Sequence, residues 1–401
     1  MPGALPEGLP APASGELPAT ALAELGRRPF GLYVHVPFCA SRCGYCDFNT
    51  YTAAELGAEP GTSQDAYLAA VSSEVRLAAR VLGPSRPPVA TVFFGGGTPT
   101  LLAPDVLTGI LAEVRTWFDL EPGCEVTTEA NPESVTADSL AVLRDGGINR
   151  VSFGMQSIVP HVLRVLERRH SPGRAVDAVS WARQAGFSSV SLDLIYGTPG
   201  ESVADWEESL RAAIAAAPDH VSAYSLIVEE GTRLGHRVSR GEMPAPDEDD
   251  LADKYTVADD LLAGAGYAWY EVSNWARPGH ACRHNLGYWL SADWWGIGPG
   301  AHSHVGGVRW WNVRHPRDYA AALASRSPAA GRELLTAAER RTERVLLESR
   351  LSTGLPVGLL GAEARRALAG LRDDGLVDGA DPVVLTRRGR LLADLVARDL
   401  T

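Results

Sequence analysis

The feature that most limits what this chain can become is a rhythm. From residue 31 to about residue 230, short β-rich runs alternate with stretches of helical period. The strand candidates are "GLYVHVPF", "VATVFFGGG", "CEVTTEANP", "RVSFGMQS", "SVSLDLIYGTPG" and "HVSAYSLIV". Between them lie "DAYLAAVSSEVRLAARVLG", "PDVLTGILAEVRTWF", "TADSLAVLRDGG", the pair "PHVLRVLERR" and "GRAVDAVSWARQAG", and "VADWEESLRAAIAAA", whose apolar residues recur at helical spacing. Parallel strands need crossovers of this length, so the pattern predicts a parallel sheet with helices outside, either open or curled toward a barrel. Polar and glycine residues bunch just after each strand. That is the carboxyl-end face, where α/β folds place their chemistry.

The rhythm stops on both sides of this core, which is read as residues 30–230. Residues 1–29 are rich in Pro, Ala and Gly, lack a basic n-region and an apolar h-region, and read as a disordered leader. Residues 231–332 form an extension that starts with the acidic connection "GEMPAPDEDD", whose carboxylates suit the start of the helix "LADKYTVADDLLAGAG". Seven of the ten tryptophans fall between Trp269 and Trp311. A block that dense suits a planar ligand or a domain interface. Residues 333–401 read as helix, short hairpin, helix, a winged-helix-like outline. With 11 Arg against 11 Asp or Glu, this part lacks the basic excess of a nucleic-acid reader.

Charge and thiol usage exclude further classes. A net charge of -12 argues against broad phosphate-backbone binding, and no run of about 18 apolar residues offers a membrane span. Five cysteines are too few and too unevenly placed for a secreted disulfide scaffold, so a reducing, cytoplasmic setting is expected. Cys124 and Cys282 are isolated and read as buried free thiols.

Cys39, Cys43 and Cys46 are different, because they crowd into "CASRCGYC". Spacings of four and three residues let one loop wrap three irons of a cubane cluster and leave the fourth iron without a protein ligand. Catalytic metal sites keep such an open position. A zinc site completed by a distant fourth ligand stays open as an alternative.

C-x3-C-x2-C after the first strand of a repeated β/α unit resembles the signature of the radical S-adenosylmethionine (SAM) superfamily. The resemblance implies a 4Fe–4S cluster on the three cysteines, with SAM chelated by the open iron and cleaved by one electron to a 5′-deoxyadenosyl radical. It implies the fold class as well: α/β, a partial (β/α)6 barrel with a C-terminal helical, winged-helix-like accessory region. Further motifs follow in order. "GGGTPT" supplies Gly96, Gly97 and Thr98, with glycines that let backbone approach a ligand closely. By resemblance, Glu129 of "TTEANP", Gln156 of "FGMQS" and Asp193 of "LDLIYG" bond the adenosine ribose. Arg168 of "LERRH" pairs with the methionyl carboxylate, and Tyr33 and Tyr45 flank the cofactor.

"YVHVPFC", "GGGTPT", "NPES", "GMQS" and "GAHS" together resemble the group of oxygen-independent coproporphyrinogen III oxidases, which also holds HemW-like heme chaperones. The oxidases carry one more cysteine two positions after the third cluster thiol, where this chain has Phe48, and a long N-terminal arm that the leader here does not match. "RHNLGYW" matches the H-N-x-x-Y-W motif of the chaperones. The resemblance thus implies a heme chaperone, with His284 as axial ligand, Asn285 as its orienter, and Tyr288 and Trp289 as flat faces for the macrocycle. Cys282, His302 and His304 are further candidate ligands. Expected partners are heme, a heme-acceptor protein and an electron donor for the cluster, with peripheral membrane contact left open. The alternative is a radical enzyme acting on a porphyrinogen.

Overall fold

The structure is a computed structural model and describes residues 7–57, 61–168, 171 and 173–401. Six strands carry the core: β1 Phe30–Val36, β2 Val89–Gly96, β3 Leu120–Ala130, β4 Arg150–Gln156, β5 Ser189–Tyr196 and β6 His220–Ser225. They pair in chain order, all parallel. The crossover helices are Gln64–Leu82, Pro104–Trp117, Ala137–Asp145, Arg174–Gln184 and Val203–Ala215, with the short helix Pro160–Val165 preceding the fourth. The first of them begins on a Ser63 side-chain cap and ends at Gly83, which takes φ 77°.

Each strand keeps the two-residue alternation of a pleated chain. Leu32, Val34 and Val36, then Val92 and Phe94, then Val190, Leu192 and Leu194 enter the helix-covered core. Burying each such side chain contributes roughly 1.5–3 kcal/mol. The intervening residues, such as Ser152, Ser191, Asp193 and Ser222, point to the other face, which is lined by polar groups.

The extension widens this sheet. Strands β7 Ala268–Glu271 and β8 Asn274–Ala276 add antiparallel beyond β6. Strand β9 Asp293–Ile297 returns to pair parallel with β1, and β10 His302–Val305, β11 Val308–Asn312 and β12 Ala329–Leu334 follow antiparallel. The order β12-β11-β10-β9-β1-β2-β3-β4-β5-β6-β8-β7 does not close on itself, as a partial barrel requires. Most of the tryptophan block is core in this extension. Trp295 and Trp310 meet edge-on at 4.8 Å, Trp275 is fully buried, and Trp269 lies under Arg390 of the C-terminal region.

The leader differs from its expected disorder. From residue 7 onward it lies against the body, whereas residues 1–6 fall outside the described chain. Leu9 exchanges backbone hydrogen bonds of 2.8 and 2.9 Å with Arg332, and Ser327 donates to Ala13 O at 2.7 Å. Composition misjudged it because an exposed sheet edge supplies the partners: β12 would otherwise present unpaired amides. Residues 337–401 have their own core around Leu355, Leu368, Leu371, Leu385 and Val396. Among the described residues, no helix is long and apolar enough to cross a membrane.

Candidate functional site

A cavity of about 950 Å³ opens at the carboxyl ends of β1–β6. The three-cysteine loop hangs over it from β1. Its base is clamped where Phe38 and Cys39 pair with Tyr51 and Thr52. The Asn49 side-chain amide ties its returning limb by donating to the carbonyls of Pro299 at 3.0 Å and Arg314 at 2.9 Å. Cys39, Cys43 and Cys46 are half-buried, unbridged, and line the cavity together. Burial pushes the Cys46 thiol up to about 11 despite a backbone hydrogen bond from Phe48, so without a cation its thiol form prevails. Bound iron would reverse that balance.

The surroundings fit a cluster. A methyl on Gly97 would sit 2.5 Å from Phe38 O and 3.1 Å from Cys39 Sγ, so only glycine lets β2 close under the first thiol. Among the described residues no three His, Cys, Asp or Glu side chains converge on a single ion, and a cubane does not ask for that, since each thiolate takes its own iron. Arg168 reaches the loop from the other side. Its Nη1 approaches Cys43 Sγ at 3.6 Å, Nη2 donates to Gly154 O at 2.9 Å, and its buried Nε has no partner. A carboxylate is the group that such a free donor edge takes.

The wall beside the loop brings together the other candidates. Tyr33 and Tyr45 both line the cavity, as do Gly96, Gly97 and Thr98. Gly96 N donates to Glu129 Oε2 at 3.1 Å. Burial, then the charge of Asp193, push the Glu129 carboxyl up to about 8, opposed by that amide. Asp193 accepts from Ser152 Oγ and Ser222 Oγ at 2.8–2.9 Å. Gln156 has φ 65°, a left-handed backbone that glutamine rarely adopts, held where β4 bulges against β5. Gly154 makes the room: a methyl there would lie 2.7 Å from Arg168 Nη2 and 2.8 Å from Gln156 Nε2.

The H-N-x-x-Y-W segment is a short helix, Arg283–Trp289, on the cavity floor. Glu125 receives its first amides, Arg283 N at 3.1 Å and His284 N at 3.0 Å. His284 differs from the expected open ligand. Its Nδ1 meets Thr91 Oγ1 at 2.8 Å and its Nε2 meets Tyr288 Oη at 2.9 Å, so both ring nitrogens are engaged. Burial lowers its pKa to about 3. Asn285 and Tyr288 line the cavity, whereas Trp289 does not. His302 and His304 lie on the antiparallel extension away from the cavity, with His304 Nδ1 against Ala292 O at 3.0 Å.

Several lining residues escaped the reading of the sequence: Thr127, Ser152, Ser191, His220, Ser222 and Tyr224. The signal was present as polar residues at every second position in "RVSFGMQ", "SVSLDL" and "HVSAY". The apolar residues that mark these runs as strands face the helices instead. Thr127 carries a buried hydroxyl with no protein partner. Cys282, on the floor beside Glu125 at 3.6 Å, is pushed up to about 12 chiefly by burial, as befits an inert thiol.

Comparison with known proteins agrees with this geometry. Residues 33–213 match the family described as the Radical SAM superfamily. The chain is 55% identical over 387 residues to the heme chaperone HemW of Mycobacterium tuberculosis, covering 96% of this chain and 97% of that one. It is 32% identical to the heme chaperone HemW of Bacillus subtilis, covering 91% and 97%. Among solved structures, the coproporphyrinogen III oxidase HemN of Escherichia coli superposes with a TM-score of 0.81 at 25% identity, covering 95% of this chain and 92% of that one.

Proposed function

The chain belongs to the radical SAM superfamily, in the branch of the HemW proteins, and from that premise we propose that it is a heme chaperone, which takes up heme at the mouth of the cofactor cavity and passes it to an acceptor protein. Cys39, Cys43 and Cys46 hold the cluster. Arg168 offers its free donor edge to the methionyl carboxylate of SAM, and Glu129, Gln156 and Asp193 take the ribose. Gly96, Gly97 and Thr98 form the close-approach wall, with Tyr33 and Tyr45 on either side. The cluster, when bound with SAM, supplies one-electron chemistry.

The observation that carries the heme assignment is the rim. Phe48 and Ile227 are 58% and 66% exposed, come from the cysteine loop and from the segment after β6, and both line the same cavity. Exposed apolar side chains gathered around one opening mark a place for an apolar partner, and a flat macrocycle suits it. Phe48 occupies the position of the oxidases' additional cysteine. Five unbridged thiols support a reducing cytoplasmic location, and the acidic balance speaks against nucleic acid as a partner.

Anaerobic reconstitution followed by heme titration tests this reading. Saturable, stoichiometric heme uptake is expected, weakened about tenfold, roughly 1.4 kcal/mol, in the double variant Phe48→Ser, Ile227→Ser. Conversion of coproporphyrinogen III to protoporphyrinogen with reductant and SAM, without saturable heme uptake, would instead make the chain an oxidase like its structural relative.

A further inference from the structure

We infer that the H-N-x-x-Y-W segment is the plug of the barrel, and that His284 is a positioning residue for the cofactor pocket above it and not a ligand to heme iron. Four observations lead there. The imidazole is wedged between two hydroxyls, with Thr91 Oγ1 at 2.8 Å on Nδ1 and Tyr288 Oη at 2.9 Å on Nε2. A neutral ring has one donor and one acceptor nitrogen, so these bonds use its whole capacity. Iron could take a nitrogen only by displacing one of them and drawing the ring out of its slot.

That slot is shaped for the ring. His284 stacks on Phe93 at 5.1 Å and on Tyr33 at 6.4 Å, and Tyr288 meets it edge-on at 5.0 Å. Gly31 faces it from β1, where a methyl would lie 2.8 Å from Thr91 Oγ1 and 3.3 Å from the imidazole. The helix is fixed from below by Glu125, which accepts from two of its first amides, while Tyr288 packs edge-on against Trp294 at 4.7 Å.

The third observation is what lies on either side. His284 and Tyr288 line the large cavity and also a separate void of about 30 Å³ bounded by Phe30, Gly31 and Asp293. The pair is therefore the partition between the cofactor cavity and the opposite end of the barrel. Fourth, the partition bears on the cofactor wall: Tyr33, which lines the cofactor cavity, stacks over the imidazole with ring centroids 6.4 Å apart. Removing the ring would let Tyr33 and Phe93 settle downward and admit water under the pocket.

The test uses the full chain with its cluster reconstituted, in four variants: His284→Ala, His284→Gln, Thr91→Val and Gly31→Ala. Two readouts are taken on each: SAM affinity, from the change in the electron paramagnetic resonance signal of the reduced cluster, and heme affinity with Soret band position. His284→Ala and Gly31→Ala are both expected to weaken SAM binding at least fivefold. Heme affinity should stay within twofold of wild type with an unmoved Soret band, and His284→Gln, which keeps a hydrogen-bonding amide, should recover part of the loss. Loss of heme affinity and a shifted Soret band in His284→Ala but not Gly31→Ala would overturn the inference and make His284 the ligand. Unchanged SAM affinity in both would overturn it too. If His284→Ala does not fold, Gly31→Ala and Thr91→Val still decide, since both leave the imidazole in the chain: weakened SAM binding with an unmoved Soret band is expected of each, and unchanged SAM affinity in both would overturn the inference. Failure of wild type to bind heme would sink the chaperone reading and leave the SAM comparison standing.

Discussion

Gly97 and Gly154 are two glycines whose missing methyls serve different halves of the site. At Gly97 the obstacle is backbone, Phe38 O at 2.5 Å from a Cβ, together with Cys39 Sγ, and backbone has little freedom to give way. Gly97→Ala should therefore push the cysteine loop off β2, and iron content after anaerobic reconstitution should fall by more than half with the far-ultraviolet circular dichroism unchanged. At Gly154 the obstacles are the ends of two side chains, Arg168 and Gln156, which can swing away. Gly154→Ala should keep its iron yet bind SAM about tenfold more weakly, a difference of roughly 1.4 kcal/mol. Full iron in Gly97→Ala, or iron loss in Gly154→Ala, would contradict this division. The cysteine spacing alone pointed to the loop. That Gly154 makes room for Arg168 depends on a contact across 14 positions of sequence, which no local pattern records.

At the scale of elements, the crossovers were legible because helical period and capping are local properties. The helix Gln64–Leu82 could be placed within a residue from its apolar spacing and Gly83. The polar inner face was half legible, since alternation shows that a strand has two faces but not which one meets solvent, helix or cavity. In the extension the helix Glu248–Gly264 was legible from its acidic start, but the strand pairing was not. Pairing of β9 with β1 joins Asp293 to Phe30 across the whole core, and only the folded sheet shows it. One buried carboxylate ties these distant elements. Glu74, fully buried on the first crossover helix, accepts from Gly298 N and Asn312 Nδ2, each at 2.8 Å, and bonds Tyr319 Oη. Burial raises it to about 7 against those hydrogen bonds. A carboxyl raised in the folded state keeps a proton that the unfolded chain has released. Its contribution is thus present below about pH 4.5 and is lost as pH rises toward 7. Glu74→Gln should flatten the midpoint-versus-pH curve over that window, and it should also lower stability at every pH by about 1–3 kcal/mol through the misplaced amide. An unchanged slope in thermal melts from pH 5 to 8 would refute the assignment.

At the scale of the whole molecule, a cation joins the core of the sheet to that of the C-terminal region. The C-terminal core is separate from that of the sheet, and "LTRRGRLLAD" supplies the connection. Arg390 bonds Asp259 through both nitrogens, at 2.9 and 2.7 Å, while its guanidinium lies 4.5 Å over Trp269 and 5.6 Å over Tyr255. Arg387 adds Asp259 at 2.9 Å and Asp260 at 2.6 Å. Asp259 also accepts from the Trp275 indole at 2.9 Å, so part of the tryptophan block belongs to this junction. Burial works against the Asp259 charge, but Arg390 and the indole hold its carboxyl below the usual value. Both side chains of the pair are nearly buried, and removing one partner of such a pair costs about 3–5 kcal/mol, because the other charge is left without compensation. Arg390→Ala should therefore uncouple the two cores: a single calorimetric transition in the wild type becomes two, with residues 333–401 melting first and becoming sensitive to protease. Asp259→Asn, which keeps the indole acceptor and removes the charge, should do the same less severely. The lowered carboxyl also sets a direction with pH, since its contribution is present above the ordinary aspartate range and fades as pH falls through the folded value. Acid should then release the C-terminal core before the barrel. A single transition in Arg390→Ala, at any pH, would mean that the apolar contacts between the cores suffice without the pair.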